Sequence, residues 1–315
     1  MTAACGRASL PTSFPIWCPK TDPLPGSGRS APTSIERETM AEHIADFCEG
    51  IKARARIQAG EKILWVHGYT IDSSLWTELW NALPGYSHIG IDLPGHGLSS
   101  SLAAGQTLRG LGERLAAAAL REGICHVVGL SLGSIIALQI ALSRPADFAS
   151  LCLAAPALAG GPADAGVGVR YREMAQLHQR GAPAAAMRSL WMRSPPDLFR
   201  HAAARPALWE ALCKVIERYT WDEFRGPGVA RLAIETQTLA ELRALRCRTL
   251  VLVGEYEFPA FRQTASLLGT HITECAAVEL AAAGHLCILE QPELAAQALT
   301  RHWAAASPKR RSSAG

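Results

Sequence analysis

Five short apolar runs, Ile63–Val66, Ile89–Ile91, His126–Leu130, Leu151–Ala155 and Thr249–Val253, constrain this chain more than any other feature, each being bounded by Gly, Pro or a polar turn. Their apolar character is continuous rather than alternating, so each predicts a strand covered on both faces, as in a parallel sheet held between layers of helix. Helical patterns lie between them, over Ser74–Leu83, Leu108–Arg121 and Leu132–Leu142. Alternation of this kind predicts an α/β fold, a mostly parallel sheet with helices on both faces. Upstream, Ile51, Ala53, Ala55 and Ile57 alternate with Lys52, Arg54 and Arg56, the period of a half-exposed strand at a sheet edge.

The regularity breaks between residues 158 and 237, where four or so helical patterns follow one another without a strand, carrying Tyr171, Trp191, Leu198, Trp209, Leu212 and Tyr219. This predicts a helical cap inserted before the penultimate strand, with residues 39–157 and 238–305 forming the core. Residues 1–38 place six prolines among Ser, Thr and Gly, a composition that buries too little apolar surface to offset ordering entropy and predicts disorder. Met40 opens more ordinary sequence, so the preceding segment reads as an upstream-extended frame; a cleaved targeting peptide fits less well, its few basic residues being interrupted by Asp22. Residues 306–315 read as a disordered basic tail.

Lys309, Arg310 and Arg311 of that tail equal the whole formal charge of +3. The body therefore has no basic excess with which to track a phosphate backbone, and nucleic acid is not an expected partner. Nine cysteines, odd in number and without a CxxC pair, suit neither a disulfide framework nor a zinc site and point to a reducing compartment. No apolar run approaches the roughly 18 residues of a membrane span, and no secretory apolar stretch opens the chain. The expected location is cytoplasmic.

Gly129-Leu130-Ser131-Leu132-Gly133 satisfies GxSxG. An apolar run feeds into it and a helical pattern leaves it, the strand, turn and helix in which such a serine becomes a nucleophile. Neighbours without Cβ atoms let the backbone turn tightly and the hydroxyl project, and the helix N-terminus adds partial positive charge beside a developing oxyanion. The competing reading is that the glycines allow close strand and helix packing, with Ser131 an ordinary helix cap.

With His67-Gly68-Tyr69 after one strand, Asp92-Leu93-Pro94-Gly95-His96-Gly97-Leu98-Ser99 after the next, the serine turn after the third and Gly284-His285 near the end, the chain resembles the α/β-hydrolase family over roughly residues 50–305. The resemblance implies an α/β-hydrolase fold, with Ser131 as nucleophile and His285 as its base. Histidine suits that task near neutral pH. The acid that orients the base falls on Glu257, where the family usually has aspartate; Glu255 and Asp164 are the alternatives. Leu132 and Tyr69 are the expected oxyanion donors through backbone N–H groups. His67, His96 and Asp92 belong to motifs that shape loops. His43, His178, His201 and His302 read as surface or packing residues, Cys287 as packing, and Trp191 and Trp221 as possible contacts for an apolar substrate.

The reaction this implies is hydrolysis of a carboxylic ester, lactone or thioester through an acyl-enzyme, with no metal and no organic cofactor. The substrate is a small molecule, free or delivered by a carrier protein, and the sequence implies no oligomeric state. A second reading is a C–C bond hydrolase or a lyase that forms a menaquinone precursor with the same residues. Such relatives place a basic residue beside the serine turn, where Ser134 and Ile135 stand here. Dehalogenases and epoxide hydrolases need aspartate in place of Ser131. The third reading is a ligand receptor or scaffold, since a fold does not fix a function.

Overall fold

The computed structural model describes residues 41–226 and 228–306. Expectations for residues 1–38 and for the tail after Ala306 lie outside them. Eight strands, β1 (His43–Cys48), β2 (Ile51–Arg56), β3 (Lys62–Val66), β4 (Ser87–Ile91), β5 (Ile124–Leu130), β6 (Ser150–Ala154), β7 (Arg248–Gly254) and β8 (Cys275–Leu280), form one sheet in the order β1-β2-β4-β3-β5-β6-β7-β8. From β4 to β8 every pairing is parallel, while β1 and β2 join as antiparallel strands.

Alternate residues of the parallel strands divide between two cores. Leu64, Val66, Val127, Leu151, Leu153 and Val251 enter one; Ile63, Trp65, Val128, Leu130, Cys152 and Leu250 enter the other. Both faces are therefore covered, which explains why the strands read as unbroken apolar runs. The first core is closed by α2 (Leu108–Arg121), α3 (Leu132–Ser143), α7 (Leu239–Ala244) and α8 (Pro259–His271), and the second by α1 (Thr77–Asn81), α9 (Cys287–Glu290) and α10 (Pro292–Ala306) together with the segment between β6 and β7. Helix α3 is buried on nearly every side, from Leu132 through Ala141, and its sequence is accordingly apolar all round.

Two local expectations need correction. Strand β2 is not the edge: β1 pairs outside it, His43 opposite Ala55. Four of the six β1 residues are exposed, so a strand that covers little apolar surface leaves little apolar pattern to read. The helical pattern over 74–83 divides into a 3-10 turn at Ser73–Trp76, capped by Asp72, and the short α1.

Between β6 and β7 run α4 (Ala165–Gln179), α5 (Ala184–Trp191) and α6 (Pro206–Glu217), with 3-10 turns at Ala202–Ala204, Asp222–Phe224 and Val229–Ile234. Three α-helices and these turns stand where four or so helices were expected. No described helix is long and apolar enough to cross a membrane, the seven described cysteines are unpaired, and no cluster of three or more metal-ligating side chains occurs among the described residues.

Candidate active site

Chain order reverses around β3: the path goes from β3 to β4 on one side, then crosses to β5 on the other. Crevices at such reversals, outside the carboxyl ends of parallel strands, are where open α/β sheets bind ligands. Tyr69 follows β3, Ser131 follows β5, Glu257 follows β7 and His285 follows β8, so four segments far apart in sequence arrive at one end of the sheet.

Ser131 sits at the turn from β5 into α3 with φ 54° and ψ −120°, a conformation unusual for a residue with a Cβ atom. Its N–H donates to the Ala154 carbonyl at 2.9 Å. The flanking glycines are demanded by contact. A Cβ on Gly129 would lie 2.4 Å from the Gly133 carbonyl oxygen, and one on Gly133 would lie 2.3 Å from the carbonyl oxygens of both Val66 and His67. Ser131 makes no side-chain cap to α3, which removes the helix-cap reading. Its hydroxyl instead lies 2.8 Å from His285 Nε2.

His285 Nδ1 lies 2.9 Å from Glu257 Oε1, and the Phe258 N–H donates to that same oxygen at 2.9 Å. An oxygen already accepting from a backbone N–H acts as acceptor toward the ring, so Nδ1 carries the hydrogen and Nε2 is left to accept from the serine hydroxyl. The Glu257 side chain is fully buried, and Oε2 has no hydrogen-bond partner. The Phe261 ring packs against the imidazole, centroids 4.4 Å apart. The structure thus brings Ser131, His285 and Glu257 together in a continuous chain of contacts.

The alternatives lie elsewhere. Glu255 accepts from the Ala282 N–H, and Asp164 caps α4 through the Val167 N–H. His67 Nε2 accepts from the Leu93 N–H and His96 Nε2 from the Thr70 N–H; burial lowers both histidines' affinity for a proton, that of His96 to about 3. Asp92 accepts from the Ser73 and Leu98 N–H groups. These three residues join the loops after β3 and β4. Cys287 is wholly buried, and that burial pushes its thiol well above its usual range, opposite to what a reactive thiolate needs.

The backbone N–H groups of Tyr69 and Leu132 have no acceptor among the described residues. A Cβ on Gly68 would touch the Ser131 Cβ at 3.4 Å, so the loop carrying Tyr69 lies against the serine. Beside them opens a cavity of about 820 Å³, lined by Ser131, His285, Trp191, Phe199 and Ile234 among others. Trp191 lines it, whereas Trp221 packs behind, against Trp191 and Tyr69. Arg172 and Arg231 also line it, both exposed and without an ion-pair partner among the described residues.

Sequence reading missed Glu290, whose buried Oε2 accepts the Gly284 N–H at 2.5 Å, directly before His285. Burial raises its carboxyl to about 7. Its signal was an acid inside the apolar run Leu286–Glu290.

Residues 63–298 match the model of the alpha/beta hydrolase family. The chain belongs to that family. A stretch of 128 residues is 36% identical to the dihydrolipoyllysine-residue acetyltransferase component of the acetoin cleaving system of Cupriavidus necator, covering 38% of this chain and 33% of that protein. Another of 100 residues is 34% identical to the pimeloyl-[acyl-carrier protein] methyl ester esterase of Aeromonas hydrophila, covering 30% and 38%. The chain thus spans only about a third of the length of these curated relatives. Among solved structures, an esterase from Thermogutta terrifontis superposes with a TM-score of 0.67 at 24% identity, covering 82% of this chain and 95% of that one.

Proposed function

We propose that this hydrolase cleaves a carboxylic ester or thioester through an acyl-enzyme on Ser131. The observation that carries the reading is the contact chain from Ser131 Oγ through His285 to Glu257. His285 takes the serine proton as Oγ attacks the carbonyl carbon, and Glu257 holds the ring and stabilises the imidazolium. The N–H groups of Leu132 and Tyr69 receive the oxyanion. On collapse His285 protonates the leaving oxygen or sulfur, then activates the water that releases the acid.

The cavity walls suit an apolar body, since hydrophobic and aromatic side chains form most of the surface a small ligand buries. Unpaired Arg172 and Arg231 on the cavity wall favour a substrate that carries an anionic group, whether free or attached to a carrier protein. The serine neighbour Ser134 is spent in the fold, accepting from the Ala157 N–H and donating to the Ser131 carbonyl, and Ile135 adds no charge; nothing beside the serine turn favours C–C cleavage.

The test is turnover of aryl esters and acyl thioesters of graded chain length, neutral or ending in a carboxylate, by wild type and Ser131→Ala. Hydrolysis that rises with chain length and falls at least about a thousandfold in Ser131→Ala is expected. Full activity in the variant, or no turnover of any member by wild type, contradicts the reading.

A further inference from the structure

The loop after β3 is tied to the helical segment at three side chains within four residues. The Tyr69 hydroxyl donates to Glu223 Oε1. Thr70 Oγ1 accepts from Trp191 Nε1–H at 2.9 Å. Asp72 Oδ2 accepts from Arg218 Nε–H at 3.1 Å. Glu223 is largely buried, and its second oxygen accepts from the Tyr219 hydroxyl at 2.9 Å. Taking a carboxylate out of water is costly unless hydrogen bonds replace the lost hydration. Here two phenol groups replace it, and one of them belongs to Tyr69, which lines the cavity and whose N–H has no acceptor among the described residues.

The surroundings hold this contact in one geometry. The Tyr69 ring meets Trp191 edge-on at 5.3 Å and Tyr219 at 5.8 Å between centroids. A residue near each partner occupies the left-handed region: Thr70, directly after Tyr69, at φ 64° and Trp221, two before Glu223, at φ 58°. Such conformations in residues with a Cβ persist where the surroundings over-determine them, and they gather at sites that need fixed geometry. At Thr70 they are over-determined: its N–H donates to His96 Nε2 and its hydroxyl donates to the Tyr69 carbonyl.

We propose that Glu223 is a positioning residue, which fixes the Tyr69 backbone N–H through the Tyr69 hydroxyl so that the helical segment between β6 and β7 sets the oxyanion donor. This rests on the reading of Ser131 as nucleophile and Tyr69 as donor. An oxyanion donor acts only when aimed at the position the oxygen reaches in the transition state, so displacement of the helical segment switches off chemistry without touching Ser131 or His285.

The test compares wild type, Glu223→Gln, Tyr69→Phe and the double variant by ester kinetics and by affinity for a trifluoromethyl ketone, whose adduct with a serine carries an oxyanion. Each single variant is expected to lose about tenfold or more in kcat with KM nearly constant, and ketone affinity should fall in parallel. The double variant should be no worse than the poorer single one, because both remove the same link. Tyr69→Phe keeps the ring packing, so it reports on the link even if Glu223→Gln folds poorly. A kcat within twofold of wild type in Tyr69→Phe, losses confined to KM, or losses that multiply in the double variant overturn the proposal. Wild-type activity that disappears in Ser131→Ala secures the underlying reading separately.

Discussion

Glu257 Oε1 accepts two donors while Oε2, fully buried, accepts none. The extra methylene of glutamate is absorbed by a side chain that reaches the imidazole with one oxygen only, whereas an aspartate there would have to approach by a shorter path. Glu257→Gln offers an amide N–H to the ring as readily as an oxygen and so destabilises the tautomer that Ser131 needs. A fall of kcat on the order of a thousandfold or more is expected; a loss of much less than about tenfold assigns the acid elsewhere. Ser131, His285 and Glu257 were each legible because they sit in or beside short motifs at strand ends. Glu223 was not: Trp221-Asp222-Glu223-Phe224 looks like any polar turn, and only the fold brings it to Tyr69. Glu290 has a pH signature. Its folded carboxyl at about 7 lies above the unfolded value near 4.5, so the stability it contributes is present below pH 4.5 and is lost as pH rises through 7. Glu290→Gln, which keeps an acceptor for the Gly284 N–H, should raise the thermal midpoint by several degrees at pH 8 and change it little at pH 4.5. Equal midpoints at pH 8 would mean that the carboxylate is not penalised by burial.

At the scale of elements, the turn from β5 to α3 is the most exacting. Gly133 leaves room for the Val66 and His67 carbonyls, which lie where a methyl group would stand. Both neighbours are backbone atoms of β3 and the loop after it, so they cannot rotate away. Gly133→Ala should destabilise the protein by about 3 kcal/mol or more, read from the midpoint of urea unfolding; an unchanged midpoint would show that α3 can shift to accept the methyl. Five of the six parallel strands, β3 to β7, were legible from apolar runs, because burial on both faces leaves no polar alternation to confuse them, whereas β8 is only partly buried and carries no such run. Strand β1 was missed for the opposite reason, since at the outside of the sheet its exposed residues carry mixed character. The segment between β6 and β7 was legible as helical, but its divisions were not, because 3-10 turns such as Val229–Ile234 share the short-range spacing of an α-helix.

For the whole molecule, one arrangement matters most: a serine at the reversal point of the sheet, a histidine and a glutamate delivered after the last two strands, and a large, mostly apolar cavity beside them. Fold alone accommodates a receptor as well as an enzyme, and what separates them is a covalent bond to Ser131 during turnover. The direct measurement is intact mass of the protein quenched in acid during hydrolysis of an activated ester, with peptide mapping of the adduct and a fluorophosphonate label in parallel. One acyl group per chain is expected, on the peptide that contains Ser131, with label and adduct both absent from Ser131→Ala. Hydrolysis by wild type with no adduct at Ser131, or an adduct that survives in Ser131→Ala, would contradict an acyl-enzyme at this serine.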